Sequence, residues 1–186
     1  MKRIFDILLS AGILIVLAIP MLLITVLVRL TSKGSAIYWS KRVGMNSVIF
    51  EMPKFRSMQM ETPTVATHLM KRPDKFLSPI GAFLRRSSLD ELPQLFSILK
   101  GNMSFIGPRP ALFNQQDLIL LRKKNGIDGV KPGITGWAQV NGRDELSIAD
   151  KVGYDVEYVN NQSLLFDLKI LWMTFVKVIR RAGVTH

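Results

Sequence analysis

The chain has 186 residues and no cysteine, and its 25 lysines and arginines against 14 acids give a net charge of +11. Disulfides, thiolate zinc sites, iron–sulfur clusters and a cysteine nucleophile are excluded, and the presence of only two histidines argues against a histidine-rich metal site or a Ser-His-Asp triad. An isoelectric point near 10.2 usually signals nucleic acid, yet the mean hydropathy of +0.22 requires a long apolar block beside the basic one.

That block comes first. Ile7–Val28 is 22 residues without a charge, about 33 Å as a straight helix and enough to reach across a hydrocarbon core. Its length and the absence of a small-x-small cleavage site distinguish it from a signal peptide, so a retained membrane segment is expected. Pro20 stands near its middle, where it removes a backbone hydrogen bond and bends a helix. Lys2 and Arg3 precede the block, and Arg29, Lys33, Lys41 and Arg42 follow it. Cations on both sides leave a kinked span and a re-entrant hairpin equally open. The carbonyl freed near Val16 needs a partner, for which the hydroxyls of Ser10 and Thr25, the last helix of the chain and headgroup water are available. Residues 29–100 carry a net charge of +7 and residues 101–186 one of +3. The strongest positive field therefore follows the apolar block, where it suits anionic lipid at about 1 kcal/mol per cation and equally a polyanionic substrate.

The pattern then becomes mixed. Ala36–Trp39 and Val48–Met52 read as short strands around a turn at Gly44-Met45-Asn46, and residues 57–79, with Pro63, Pro73 and Pro79, as a surface loop. Ile80–Arg86 suits a short helix or a turn. Leu89–Leu99 is a helix candidate stopped by Lys100-Gly101-Asn102. Phe105–Pro110 reads as rigid loop, Ala111–Asn125 as helix, and Lys131–Arg143 as glycine-punctuated loop with a short extended piece. Ile148–Asn160 and Leu164–Arg181 close the chain as helices. In the last, Phe166, Trp172 and Phe175 sit among Lys169, Lys177, Arg180 and Arg181, a mixture that suits a membrane interface better than a core helix with a solvated edge.

Asp90 and Glu91 carry the chemistry, in Arg85-Arg86-Ser87-Ser88-Leu89-Asp90-Glu91-Leu92-Pro93. The bland reading is a capping box, Ser88-x-x-Glu91, with acids complementing a helix dipole. Pro93 resists it, since a proline just past the first turn removes an intrahelical bond. The functional reading places adjacent carboxylates at a positive helix end beside two arginines, one as nucleophile toward phosphorus and its neighbour on a hard metal ion. Lys54 and Arg56 follow a strand and point two cations to one face. Arg109 is clamped between Pro108 and Pro110, Arg143 follows Asn141-Gly142 and suits a phosphate, and Asp155 is equally a partner for an arginine or a metal ligand.

In their order, an apolar segment with a central proline, KFRSM, SLDELPQL, KGNMSFIGPRP, KPGITGWAQVNGR and YDVEY resemble the bacterial sugar transferase family, the monotopic phosphoglycosyl transferases, over nearly the whole chain. One departure is that Ile19-Pro20 stands where small members of the family often have Ser-Pro, which removes one hydrogen-bond partner for the broken backbone.

The resemblance implies an α+β fold, with a re-entrant membrane hairpin over residues 1–30, a cytoplasmic catalytic domain over 31–186 resting on the membrane, and interfacial amphipathic helices. It implies transfer of a sugar 1-phosphate from a UDP-sugar to polyprenyl phosphate, giving UMP and a polyprenyl-diphosphate sugar, at the cytoplasmic face of the bacterial inner membrane. This is the first membrane step of glycoconjugate assembly. Asp90 matches the nucleophile and Glu91 the Mg²⁺-binding partner. Lys54 and Arg85 are expected in catalysis, and Arg56, Arg109, Gln139, Arg143 and Asp155 in substrate binding. Membrane lipid is an expected partner and nucleic acid is not; a homodimer is compatible with everything above. Two other classes fit the composition less well. One is a non-catalytic basic module on anionic lipid or nucleic acid, which needs neither Asp90 nor Glu91. The other is a phosphohydrolase using the same aspartate with water as acceptor.

Overall fold

In a computed structural model the described residues are 2–65, 70, 72–142 and 145–180. Arg143 of the expected site and both histidines lie outside them. The class is α+β. One helix, α1 (Lys2–Thr31), is long and apolar enough to cross a membrane. It continues through Pro20, and its burial is confined to its two ends, at Asp6 and Ser10 and at Ile24 and Val28. Between them Ile15, Val16 and Ile19 are 78%, 75% and 72% exposed.

Both ends of α1 rest on the same body. Lys2 pairs with Asp167 and lies 3.0 Å from the Tyr158 hydroxyl, and Arg3 donates to the carbonyls of Ile98 and Leu99. Asp6 accepts from Ser104 Oγ at 3.1 Å and from the backbone N–H of Phe105 at 3.2 Å. At the other end Met21, Ile24 and Val28 pack with Ala36, Phe55 and Leu84. The Ser10 hydroxyl is buried without a partner among the described residues, and Thr25 Oγ1 donates to Met21 O at 2.8 Å. Neither hydroxyl serves the carbonyl of Val16, which corrects that expectation: a helical threonine finds its own i−4 carbonyl first.

The antiparallel ribbon β1 (Ile37–Val43) and β2 (Ile49–Phe55) follows, with Tyr38 opposite Lys54, Ser40 opposite Met52 and Arg42 opposite Phe50. Opposed residues share a face, so Arg42, Ser40, Lys54 and Met52 stand on one side, while Phe55 enters the packing with α1 on the other. The short helices α2 (Gly81–Arg86) and α3 (Gln94–Lys100) come next. Between them Leu89–Glu91 is a separate 3₁₀ turn, entered through Ser88 at φ 56°. Ser88 therefore makes no cap, and Pro93 is the N-cap of α3 rather than an intruder inside a helix. The single helix expected over Leu89–Leu99 is two pieces.

Phe105–Pro110 is also more regular than a loop at its start. The strand β3 (Ser104–Ile106) pairs in parallel with β4 (Gly133–Thr135). Three glycines permit the contact: a Cβ on Gly133 would lie 2.2 Å from Gly107 N, one on Gly136 2.2 Å from Gly107 O, and one on Gly107 2.3 Å from Lys131 O. Then come α4 (Gln116–Lys124), the turn of helix α5 (Trp137–Val140), α6 (Ile148–Asn160) and α7 (Leu164–Arg180). Ser147 caps α6, its Oγ accepting from Asp150 N at 3.1 Å. The main core gathers Met52 of β2, Leu95 and Ile98 of α3, Phe105 and Ile106 of β3, Val140, Tyr158 and Ile170, with Leu9, Ile13 and Leu14 of α1 packed against it.

Candidate active site

Three elements converge on Glu91. The ribbon brings Lys54, the 3₁₀ turn brings Asp90 and Glu91, and the Pro-Arg-Pro segment after β3 brings Arg109. Lys54 Nζ and Arg109 Nη2 each stand 2.8 Å from the same oxygen, Glu91 Oε1. Side-chain exposure of the three is only 14%, 29% and 13% for Lys54, Arg109 and Glu91, so these charge-assisted bonds are shielded from bulk water.

Asp90 differs from its neighbour. It is 8% exposed, yet its carboxylate accepts no hydrogen bond from the described residues. Burial raises its pKa, Lys54 draws it back most strongly, Glu91 raises it again, and Arg85 and Arg109 oppose that rise. Burial likewise lowers the Lys54 ammonium, against the pull of Glu91 and Asp90. One carboxylate is therefore fixed by two cations, while the other is desolvated and unengaged. Adjacent acids in two environments are the pattern of two acids with two roles.

The other expected residues divide. Arg85 belongs to the site: it acts electrostatically on Asp90, and its Nη1 lies 3.1 Å from Met58 Sδ. Arg56 turns away, donating to Ser35 O at 2.7 Å and lying 5.9 Å from the Tyr38 ring centre. Gln139 donates to Ile134 O at 2.7 Å from α5, and it makes no hydrogen bond to the cluster. Asp155 is an arginine's partner, one step removed: its Oδ2 accepts from Arg122 Nε at 2.9 Å and Nη2 at 2.6 Å, and Arg122 Nη1 donates to Arg109 O at 2.7 Å.

Arg122 and Arg42 are the residues that sequence reasoning missed. Arg42 Nη1 donates to Pro110 O at 3.1 Å and its Nε to Ser40 Oγ at 3.0 Å. Two arginines thus hold the consecutive carbonyls of Arg109 and Pro110, and backbone bonds from Val43 to Ala111 and from Phe113 to Lys41 tie the same stretch to β1. Arg122 was hidden in a basic last turn, Arg122-Lys123-Lys124, that reads as solvated charge. Arg42 had one usable signal, its alternation with Ser40 on the strand face that opposes Lys54.

Among the described residues no three of His, Cys, Asp and Glu gather as a metal cage. Asp90 and Glu91 alone suit Mg²⁺, a hard ion that takes one or two carboxylates and completes its shell with water and substrate phosphate. Metals that depend on thiolate ligands are not served, because the chain has no cysteine.

Residues 1–181 match the family model described as bacterial sugar transferase. The chain is 40% identical over 185 residues to the UDP-glucose:undecaprenyl-phosphate glucose-1-phosphate transferase of Escherichia coli K12, covering 95% of this chain and 40% of that protein. It is 38% identical to the uncharacterized sugar transferase EpsL of Bacillus subtilis 168, covering 99% of this chain and 90% of that one. It is 37% identical to the undecaprenyl-phosphate galactose phosphotransferase of Salmonella typhimurium LT2, over 98% of this chain and 41% of that protein. The chain thus spans about two-fifths of the two longer relatives and nearly all of the Bacillus protein.

Proposed function

The chain belongs to the bacterial sugar transferase family, and from that membership and the site we propose that it moves a sugar 1-phosphate from a UDP-sugar to undecaprenyl phosphate. Relatives named for UDP-glucose, glucose and galactose support the donor class, and their shared undecaprenyl phosphate supports the acceptor. The observation that carries the mechanism is the contrast between Asp90, buried and accepting no hydrogen bond from the described residues, and Glu91, held by Lys54 and Arg109.

Asp90 Oδ attacks the β-phosphorus of the donor, forming an O–P bond as the bond from phosphorus to the bridging oxygen breaks. UMP departs with that electron pair. The acyl phosphate left on Asp90 is a high-energy mixed anhydride, so an oxygen of undecaprenyl phosphate attacks its phosphorus, displaces the carboxylate and yields the lipid diphosphate sugar. No proton need be moved in either half. An anion attacking an anion requires positive charge, and Lys54, Arg85 and Arg109 supply it in a desolvated site. Mg²⁺ held by Glu91 with Asp90 would add neutralising charge at the diphosphate.

The lipid acceptor also accounts for α1. Its middle carries Ile15, Val16, Ile19, Leu22 and Leu23 at 59–78% exposure, and each large aliphatic side chain removed from water is worth about 1.5–3 kcal/mol. The chain therefore sits on a membrane, which we take to be the bacterial inner membrane at its cytoplasmic face. The exposed Leu165, Trp172, Phe175 and Ile179 of α7 lie in the interface there.

The test is purified protein with UDP-glucose or UDP-galactose, with and without undecaprenyl phosphate. UMP release should depend on the acceptor, and donor alone should add the mass of one sugar phosphate to the protein. Release of UDP instead, or equal turnover without acceptor, would overturn the transferase assignment.

A further inference from the structure

The two arginines that hold the Pro-Arg-Pro carbonyls are not equivalent. Arg122 is electrically complete: while Nη1 holds Arg109 O, its Nε and Nη2 both meet the Asp155 carboxylate, which is 1% exposed. Arg42 holds Pro110 O in the same way, with Nε on the Ser40 hydroxyl, but no carboxylate pairs with it and its Nη2 donates to nothing among the described residues. The engaged edge holds the guanidinium in place, and the Nη2 edge, open to solvent, is left available to an anion. Among the described residues the acid that acts on it is Glu91, which already pairs with Lys54 and Arg109. The four cations Arg42, Lys54, Arg85 and Arg109 face two acids, Asp90 and Glu91. Among the described residues positive charge is thus in excess here, which suits an anionic ligand.

Position agrees with charge. Arg42 shares a strand face with Lys54, across the ribbon, and Arg109 lies next in sequence to the carbonyl that Arg42 holds. The Ser40 and Pro110 bonds fix the plane of the guanidinium, so that Nη2 is oriented before any ligand binds. Preoriented arginine donors match phosphate oxygens better than a flexible ammonium does.

We propose that Arg42 is a direct phosphate contact of the donor site, its Nη2 donating to an oxygen of the nucleoside diphosphate. The assignment rests on the reading of the Asp90–Glu91 cluster as a diphosphate site. Burial and Arg109 pull Arg42 down to about 10, so it stays cationic at neutral pH and its affinity for anions is available over the working range.

The experiment uses the full chain in detergent or nanodiscs, with inorganic pyrophosphate and UDP-glucose as probes in the presence of Mg²⁺. Arg42→Met should weaken pyrophosphate binding by calorimetry about ten- to a hundred-fold and raise the donor KM by a similar factor, the loss of one charge-assisted bond. Arg42→Lys, which keeps the charge without the fork, should recover part of both, and it remains testable if the methionine variant does not fold. Ser40→Ala loosens the guanidinium without removing it, and should raise KM less than Arg42→Met does. If pyrophosphate affinity and donor KM are unchanged in Arg42→Lys and Arg42→Met while kcat or thermal stability falls, Arg42 acts only through the Pro110 backbone and the proposal is wrong. Wild-type protein that neither binds pyrophosphate nor releases UMP would instead refute the underlying diphosphate site.

Discussion

At the scale of single residues, the consequential fact is that Asp90 and Glu91, adjacent in sequence, meet opposite surroundings. In the proposed reaction Asp90 must be ionised to attack, and burial raises its pKa above the usual carboxylate value. Lys54 must be charged to neutralise, and burial lowers it. Activity should therefore rise with pH through a limb above the ordinary aspartate range and fall on the alkaline side before a free lysine would titrate, giving a bell in kcat/KM against pH. Stability runs the other way for Asp90. The folded state holds this proton more tightly than the unfolded state, so its contribution is full below the unfolded pKa and is lost as pH rises through the folded one. Asp90→Asn should accordingly abolish turnover and yet melt higher than wild type at pH 8, by about 2–4 °C for each 1 kcal/mol relieved. An unchanged or lower midpoint would show that the cations fully offset the burial. Asp155 makes the complementary case. Asp155→Ala leaves Arg122 uncompensated, and the loss of one partner of a buried pair costs about 3–5 kcal/mol. Thermal unfolding measures that cost, and kcat/KM should fall with it because Arg122 holds the carbonyl of Arg109.

At the scale of elements, α1 is fastened by polar contacts that its hydropathy conceals. Arg3 donates to the last-turn carbonyls Ile98 and Leu99 of α3, where a cation also meets the negative end of the helix dipole. Arg3→Met should cost about 1–3 kcal/mol, and limited proteolysis should cut the α1–α3 region faster in the variant than in wild type. Much of this level was legible in advance. The apolar block, the first hairpin, and the helices Ile148–Asn160 and Leu164–Arg180 follow from periodicity and caps, and these elements depend mainly on local pattern. The misses share a cause. Ser88 in the left-handed region, the parallel pairing of β3 with β4 and the helical turn at Trp137–Val140 are set by contacts between distant segments. Gly107 read as part of a rigid loop and Gly133 and Gly136 as loop punctuation, because local sequence does not say which backbone will approach a glycine. For the site, Asp90, Glu91, Lys54, Arg85 and Arg109 were readable as charges beside punctuation, whereas Arg42 and Arg122 looked like ordinary basic surface because their carbonyl partners lie 68 and 13 residues away.

At the scale of the whole molecule, the question is how a 30-residue apolar helix fits the proposed transferase, whose site must stay in water. A straight span about 45 Å long would carry one end across the bilayer. Here the first turns of α1 are bound by Asp167, Tyr158, Ile98, Leu99, Ser104 and Phe105, and its last turns by Phe55 and Leu84, all of one body. Pulling either end through hydrocarbon would break the Lys2–Asp167 pair or strand Asp6 from its donors, and unpaired charge inside a bilayer costs several kcal/mol. We therefore expect both ends to lie on the side of the candidate site, with the exposed middle around Ile15–Ile19 seated in the leaflet without carrying either end across it. The chain has no cysteine of its own, so single cysteines at positions 2 and 33 report cleanly. In intact cells both should be shielded from an impermeant thiol reagent, and both should react after lysis. Labelling of position 2 from outside, with position 33 still shielded, would mean that α1 crosses the membrane. The contacts of Lys2, Arg3 and Asp6 would then have to be absent from the membrane-bound protein, while the roles proposed for Asp90 and Glu91 would be unaffected.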